Sequence, residues 1–577
     1  MESRPCLLVG INAKYIHLNP AIYSLKYSLS EELQQSVEIV EYTINHVYEQ
    51  ILMDIFRRDP GMIGISCYIW NMDVVRRLCR DLAKILPNVP IWLGGPEAAW
   101  SGEELFYELP EITGVMFGEG EVVFPKLLAA WRAGTTLDEV PGLRFQRQEE
   151  NCASDVGRFA GLTVPRTFDI VTTAEPAFAD MDMLPFLYDK EIDFDHRIIY
   201  YESSRGCPFR CSYCLSAIEK TMRYRSLDRV LTELQWFLDR KVPQVKFLDR
   251  TFNSNRDRTL AVWQYILEHD NGVTNFHFEV TADLMSQAET DLLKKMRPGL
   301  VQLEIGVQST NPETLAAISR RTDLDQLRRV TETVREGRNV HQHLDLIAGL
   351  PYEDIGSFSR SFDDVYRMRP SQLQLGFLKV LKGSPIAAQT AEFGLVYRDT
   401  VPYEILSTQW LSYRDVVRLK GIEEMVETYY NSHQFELTVT ALERMYVSPF
   451  ALYDALADFA FAENPEHKSL SRGGRFEQLK RFIHKNFGNC AEAFDTLLTM
   501  DYYLRDNARN RPSFAVGTEI PRSEYGKDIH AEEIMFDLEQ FLQTGEVVDS
   551  RERWLFDYAN RSAISGNARL RKENIPL

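Results

Sequence analysis

Three of the chain's eight cysteines fall in one short stretch, Arg205-Gly-Cys207-Pro-Phe-Arg-Cys211-Ser-Tyr-Cys214. At CxxxCxxC spacing, three thiolates can bind three irons of one 4Fe-4S cluster, whereas a closed cluster takes four cysteine ligands. No fourth cysteine lies nearby, so one iron would stay open to a small-molecule ligand. Structural zinc is the competing reading, but it normally uses four Cys or His ligands. The nearest histidine, His196, precedes the strand that leads into the loop. The remaining cysteines are scattered: Cys6, Cys67 and Cys79 fit buried positions, while Cys152 and Cys490 stand alone. Eight cysteines in 577 residues are too few for a disulfide scaffold.

A loop of this kind needs a strand to place it. Apolar runs predict strands at 198–203, 244–249, 276–281, 301–307, 344–348 and 373–379, with room for one helix between successive strands. Leu227, Val230, Leu231, Leu234, Phe237 and Leu238 mark the first connection as an amphipathic helix. Six such units make a barrel or a partial barrel. The three-cysteine loop follows its first strand.

A second set of unusual residues occupies the first 130 positions. Apolar runs at 7–11, 39–42, 62–66, 91–93 and 115–117 alternate with amphipathic helices, which predicts a doubly wound, Rossmann-like parallel sheet. Asn19 suits a helix cap and Pro20 the first turn behind it. The strand ends carry Asn12, Tyr15 and His17, then Ser66, Trp70 and Asn71, then Gly94-Gly95-Pro96-Glu97, then Gly118-Glu119-Gly120. Ligands of open α/β sheets sit beyond these carboxyl ends, although glycines there also make ordinary tight turns.

These patterns divide the α/β chain into a sheet domain (1–135), a linker with one small hairpin (136–195), the partial (β/α)6 barrel (196–395) and a mainly helical C-terminal domain (396–577). The C-terminal tyrosines are expected to be chiefly core. The net charge of -19, from 65 basic and 84 acidic residues, opposes binding to nucleic acid and to anionic membranes. No apolar run approaches the roughly 20 residues of a membrane span, and the start shows no secretory pattern. The expectation is a soluble cytoplasmic protein with no membrane partner.

The motif Cys207-Pro-Phe-Arg-Cys211-Ser-Tyr213-Cys214, with Phe247-Leu-Asp249, Phe278-Glu279, Glu304-Ile-Gly-Val-Gln308 and Gly349-Leu-Pro351, resembles the radical S-adenosylmethionine superfamily. The sheet domain ahead of it, with the turns at Gly94–Glu97 and Gly118–Glu121, is similar to the cobalamin-binding branch. The wider stretches 200–216, 245–253 and 377–383 resemble one bacterial subfamily whose helical C-terminal domain has no assigned function. The resemblance implies a 4Fe-4S cluster on Cys207, Cys211 and Cys214, with S-adenosylmethionine on its open iron. It implies Tyr213 near adenine, Glu304 and Gln308 on ribose or methionine, Arg320 or Arg321 on the carboxylate, and Gly349 admitting the adenine. For Asp249 and Glu279, substrate contact and structural pairing both remain open.

The resemblance also implies cobalamin at the first domain's strand ends. The DxHxxG signature that supplies a histidine to cobalt is missing, so base-off binding without a protein imidazole is expected, with His17 the residue able to contradict it. The implied activity is C-methylation of an unactivated carbon in a small molecule or peptide, with flavodoxin or ferredoxin as electron donor. Rearrangement, cyclisation or redox chemistry without methyl transfer is the alternative, and a cofactor carrier or sensor the non-enzymatic one.

Overall fold

The computed structural model describes residues 4–147, 169–190, 196–219, 221–466 and 468–573; Cys152 lies outside them. β1 (Cys6–Asn12), β2 (Val37–Thr43), β3 (Met62–Ser66), β4 (Ile91–Gly94) and β5 (Gly114–Met116) run parallel in the order 2-1-3-4-5. β1 and β3 are buried throughout, as strands covered on both faces must be. Ile22, Phe124 and Leu127 cover one face, and Ile51, Ile55, Val75 and Leu82 the other. The order reverses between β1 and β3, which opens a crevice at their carboxyl ends.

The segment expected to be a linker does more than connect. β6 (Leu143–Gln146) and β7 (Ile170–Thr172) add antiparallel strands beyond β5 and complete a seven-stranded sheet. The helix predicted behind Asn19 spans Pro20–Tyr27, but Asn19 makes no side-chain cap. Its amide instead donates to Ser66 Oγ at 2.8 Å.

The barrel begins with β8 (Ile199–Tyr201) and a small hairpin, β9 (Ser204–Arg205) against β10 (Arg223–Tyr224). β11 (Gln244–Phe247), β12 (Asn275–Val280), β13 (Val301–Gln308), β14 (His341–Ala348) and β15 (Gln372–Phe377) follow. Together with β8 they form one open parallel sheet in the order 15-14-13-12-11-8, a partial barrel. In β13, Val301, Leu303, Ile305 and Val307 are buried, while Gln302 and Glu304 on the other face stay half-buried. Alternation of this kind puts an apolar face under helices and a polar face towards the lumen.

A short ribbon, β16 (Val396–Tyr397) with β17 (Ile405–Ser407), leads to helices spanning 413–426, 436–442, 449–463, 472–486 and 491–505. The mainly helical expectation fits this part. The chain then adds an antiparallel sheet that was not anticipated: β18 (Thr518–Glu519), β19 (Ile529–Phe536), β20 (Asp549–Asp557) and β21 (Arg569–Glu573). Charged residues break its hydrophobic alternation. Buried Glu532 and Glu552 are held by Arg511 and Lys572. Tyr429, Tyr453 and Tyr503 are core residues, as expected, and barrel and C-terminal helices share one apolar core through contacts such as Phe362 on Phe450.

The loop after β14 is fixed by a buried carboxylate. Ser309 Oγ and Ser361 Oγ donate to Glu353 Oε1 at 2.6 and 3.0 Å, joining the end of β13 to the helix Ile355–Arg367. Burial pushes the Glu353 carboxyl up to about 7. A carboxyl raised on folding stabilises fully below its ordinary range near 4.5 and loses that contribution as pH rises through about 7. Glu353→Gln, which stays neutral, should remove this dependence. The stability difference between wild type and variant should change by about 3 kcal/mol between pH 4 and 8, measured by urea unfolding; a constant difference would refute it.

Candidate functional site

The β9–β10 hairpin closes the base of the cysteine loop, with Arg205 directly opposite Arg223. Gly206 enters the loop at φ +95°, and a Cβ there would lie 2.4 Å from the Thr221 carbonyl oxygen. Only glycine fits such a position without strain. Ser212 N–H donates to Ile318 O at 2.9 Å, and Ile386 N–H donates to Ser212 O at 2.9 Å, so the loop is anchored to the barrel on both sides. Cys211 is buried, Cys207 and Cys214 are half-buried, and all three are free thiols. Cys207 Sγ lies 3.5 Å from Thr251 Oγ1. Among the described residues no three His, Cys, Asp or Glu side chains are gathered to hold an ion, the three loop cysteines included, and the preference for a cluster over zinc rests on the cysteine spacing.

Asp249 falls on the structural side of its two readings. Ser203 N–H and Oγ donate to it at 2.8 and 2.7 Å, and Ser204 Oγ at 2.5 Å. It ties the end of β11 to the turn that starts the hairpin. Glu279 is less committed: its one ion pair is a long contact of 3.7 Å to the exposed Arg250, and burial raises its carboxyl.

Arg320 is the arginine that turns inward. Its Nη1 lies 3.6 Å from Cys211 Sγ, and it donates to Gly306 O, whereas Arg321 is exposed. Tyr213 packs against the barrel core, and burial raises its hydroxyl. Gln308, at φ +73°, sits at a register irregularity in β13. Its buried Oε1 has no hydrogen-bond partner among the described residues, which leaves an acceptor for a bound molecule. Glu304 has partners within the barrel: Lys246 Nζ and His277 Nε2 each approach it at 3.0 Å. Burial alone would raise its carboxyl, but the His277 contact and the Lys246 charge outweigh it and hold the group at about 2. Gly349 is close-packed too, since a Cβ there would lie 2.8 Å from the Ile405 side chain of β17.

At the first domain's strand ends, three of the expected contact residues also brace the loops. Asn12 Nδ2 donates to His17 O and Glu41, Ser66 accepts from Asn19, and the buried Asn71 donates to Ile11 O and Ser66 O while accepting from Tyr68 N–H. They hold up an aromatic shelf. Tyr68 and Trp70 stack at 4.3 Å with planes 6° apart, and Trp70 Nε1 donates to Ile11 O. Tyr15 lies under the Arg197 guanidinium. His17 Nδ1 is 2.6 Å from Tyr200 OH.

The glycine turns are close-packed. Gly95 has φ +98°, and a Cβ there would sit 2.7 Å from Cys67 O; Pro96 then opens a short helix. Glu97 is buried, accepting from Tyr403 and lying 3.6 Å from Lys382 Nζ. Gly94 and Gly120 border a cavity of about 130 Å3 with Tyr68. Gly118 and Glu119 border two larger ones, of about 410 and 760 Å3. The largest is shared between domains: Gly95, Gly118 and Glu119 face Gly206, Leu215 and Ser216, which bracket the three cysteines. A further cavity of about 440 Å3 lies between Asn12, His17, Trp70 and Tyr200.

The residues fit both implied groups. Three free thiols with an arginine beside one of them suit an iron–sulfur cluster, and a cleft along glycine-lined strand ends suits a large planar cofactor. Glu121, Glu202, Arg205 and Arg223 form the wall between the two loops; sequence reasoning pointed to the Gly118–Glu121 turn and to the basic stretch around the cysteines but missed their pairing, because Glu119 and Glu121 lie far in sequence from the two arginines.

Fold and site together resemble those of cobalamin-binding radical S-adenosylmethionine proteins. Family models match in the same places: B12 binding domain at 7–128, radical SAM superfamily at 201–365, and a protein of unknown function (DUF4080) at 391–556. The cobalamin-dependent radical SAM methyltransferase TokK of Streptomyces tokunonensis is 27% identical over 52% of this chain and 44% of its own length. The anaerobic magnesium-protoporphyrin IX monomethyl ester cyclase of Rubrivivax gelatinosus is 22% identical over 56% of each chain. The chain thus spans about half the length of these relatives. Two solved structures share the fold. One is the cobalamin-dependent radical enzyme OxsB (TM-score 0.56, 15% identity, 87% of this chain and 79% of that one). The other is the methyltransferase TsrM of Kitasatospora setae (0.54, 17%, 68% and 76%). No helix among the described residues is long and apolar enough to cross a membrane.

Gly206→Ala tests the loop geometry. The added methyl meets a carbonyl at a strained φ, at a cost on the order of 2 kcal/mol. Iron and sulfide analysis should show loss of most of the cluster with the far-ultraviolet spectrum unchanged; full iron content would refute the loop's dependence on this turn.

Proposed function

We propose that this chain is a cobalamin-dependent radical S-adenosylmethionine methyltransferase acting on an unactivated carbon of a small molecule or peptide. The observation that carries the reading is the 760 Å3 cavity walled by both the cysteine loop and the glycine turns. Methyl transfer between two cofactors requires one shared space, closed to bulk water. When bound, the cluster and S-adenosylmethionine supply a hydrogen-abstracting radical and cobalamin supplies the methyl group. The chain's own work is placement. Cys207, Cys211 and Cys214 would hold the cluster, and Arg320 sets a positive charge beside Cys211 and Tyr213. Gln308 Oε1 offers an acceptor. The aromatic shelf of Tyr68 and Trp70 would carry an apolar face of the corrin.

Base-off binding is part of the reading, because His17 is already engaged with Tyr200. A cytoplasmic setting with flavodoxin or ferredoxin as reductant fits the need for low-potential electrons, and the charge of -19 argues against nucleic acid as substrate. Ring formation without methyl transfer is the second reading, favoured by the likeness to the cyclase.

Product analysis separates the two. Reduced protein loaded with cluster and hydroxocobalamin, given S-adenosylmethionine and a panel of small-molecule and peptide acceptors, should release S-adenosylhomocysteine and 5'-deoxyadenosine together with a methylated acceptor. Deoxyadenosine and a converted but unmethylated acceptor would overturn methyl transfer in favour of the second reading.

A further inference from the structure

The hairpin that closes the cysteine loop is gripped from the other domain. Arg205 Nη2 lies 2.7 Å from Glu121, and its Nη1 lies 3.3 Å from Glu119. Arg223, directly across the hairpin, pairs with Glu119 as well. Both carboxylates belong to the Gly118–Glu121 turn at the end of β5. Each barrel arginine has one partner of its own, Glu202 for Arg205 and Glu219 for Arg223. Arg223 also donates to Ala179 O at 2.8 Å, and Ala179 N–H donates to Glu119 at 2.5 Å.

These pairs are shielded from water: the side chains of Arg205, Glu119 and Glu121 are 16%, 14% and 11% exposed. Coulomb attraction is weakly screened in such a place, and a charge left without its partner is costly. Burial works against the charge on Glu121, but the Arg205 guanidinium outweighs it and holds the carboxyl below its ordinary value. Glu202, by contrast, is raised by burial despite Arg205. Four carboxylates therefore compete for two guanidiniums, and the arginines cannot leave the turn without stranding Glu119 and Glu121.

The turn has little freedom to absorb a displacement. Gly118 holds φ +75° against the Pro176 ring, and a Cβ on Gly120 would meet Leu25 at 2.6 Å. Ser24 Oγ donates to Glu121 Oε1 at 2.8 Å, the same oxygen that Arg205 Nη2 approaches. Whatever settles this turn therefore settles both arginines, and the two arginines define the base of the 206–222 loop.

We infer that Glu119 and Glu121 are positioning residues for the cluster loop, so that loading a corrinoid against the Gly118–Glu121 turn orders the loop carrying Cys207, Cys211 and Cys214. The inference rests on the cobalamin assignment proposed above. It makes the two cofactor sites one cooperative unit: a chain with an empty cleft holds its cluster on a looser loop, and cofactor loading tightens it.

Anaerobic hydrogen–deuterium exchange on the cluster-loaded full chain tests this, with hydroxocobalamin as the probe. In the wild type, hydroxocobalamin should slow exchange at residues 94–97, within the cleft, and should slow exchange across 206–222 about fivefold. In Glu119→Gln/Glu121→Gln, slowing at 94–97 should persist while slowing across 206–222 is lost. Equal slowing across 206–222 in both proteins overturns the positioning role and leaves the cobalamin assignment standing. No slowing at 94–97 in the wild type overturns the assignment and this inference with it. If the double variant does not load, Glu121→Gln alone is read in the same way, because it removes the 2.7 Å contact to Arg205 and leaves Glu119 in place; undiminished slowing across 206–222 there overturns the role.

Discussion

A parallel sheet gathers the carboxyl ends of its strands along one edge, and this chain sets two such edges against each other. The constraint follows from backbone geometry: parallel strands need crossovers, and the loops that are free to bind anything all leave from the same side. In the first domain those loops follow β1, β3, β4 and β5. In the barrel the decisive loop follows β8 and β9. The cysteines and the first domain's candidate contacts lie on these loops, while Glu304, Gln308, Arg320 and Gly349 belong to β13, β14 and the segments that follow them. Cavities walled by Tyr68 and Gly118 from one domain and by Tyr200 and Glu202 from the other are the consequence.

Two opposed edges would slide unless something fixed them, and apolar packing is a poor choice where a cofactor must enter. The chain adds charge to a small apolar contact, in which Leu18, Tyr23 and Tyr27 join the barrel core. Arg205 and Arg223 meet Glu119 and Glu121, Arg197 meets Glu41 at 2.8 Å, and Lys382 approaches Glu97. All of these join the first domain to later segments, and all are largely shielded. Buried ion pairs contribute little net stability relative to apolar packing, but they specify one arrangement and penalise others. That property suits a cleft whose walls must keep a fixed separation while its centre stays open.

The sequence was most legible where chemistry or burial was repeated locally. The cysteine spacing needed eight consecutive residues, and all eleven strands expected for the two parallel sheets were marked by apolar runs that the structure retains. What escaped was long-range or charged. Glu119 and Arg223 are 104 residues apart, and nothing local on either side names the other. β6 and β7 are short, and β20 carries Asp549-Ser-Arg-Glu-Arg before its first buried aromatic, so neither shows a clean strand pattern. Glu304 was singled out through the family resemblance alone; its pairing with Lys246 and His277 depends on neighbouring strands whose register the sequence does not reveal.

The same reasoning accounts for His17, which occupies a strand-end loop and joins the first domain to the barrel. The loop is spent on joining domains: Ile198 N–H donates to Ile16 O at 2.8 Å, and His17 pairs as an isolated bridge with Ile198 at the entrance to β8. Its Nδ1 contact with Tyr200 then fixes the ring against the first barrel strand. The ring and its loop thus serve the seam that brings the two strand edges together, so a histidine in a strand-end loop is not by itself a sign of metal ligation.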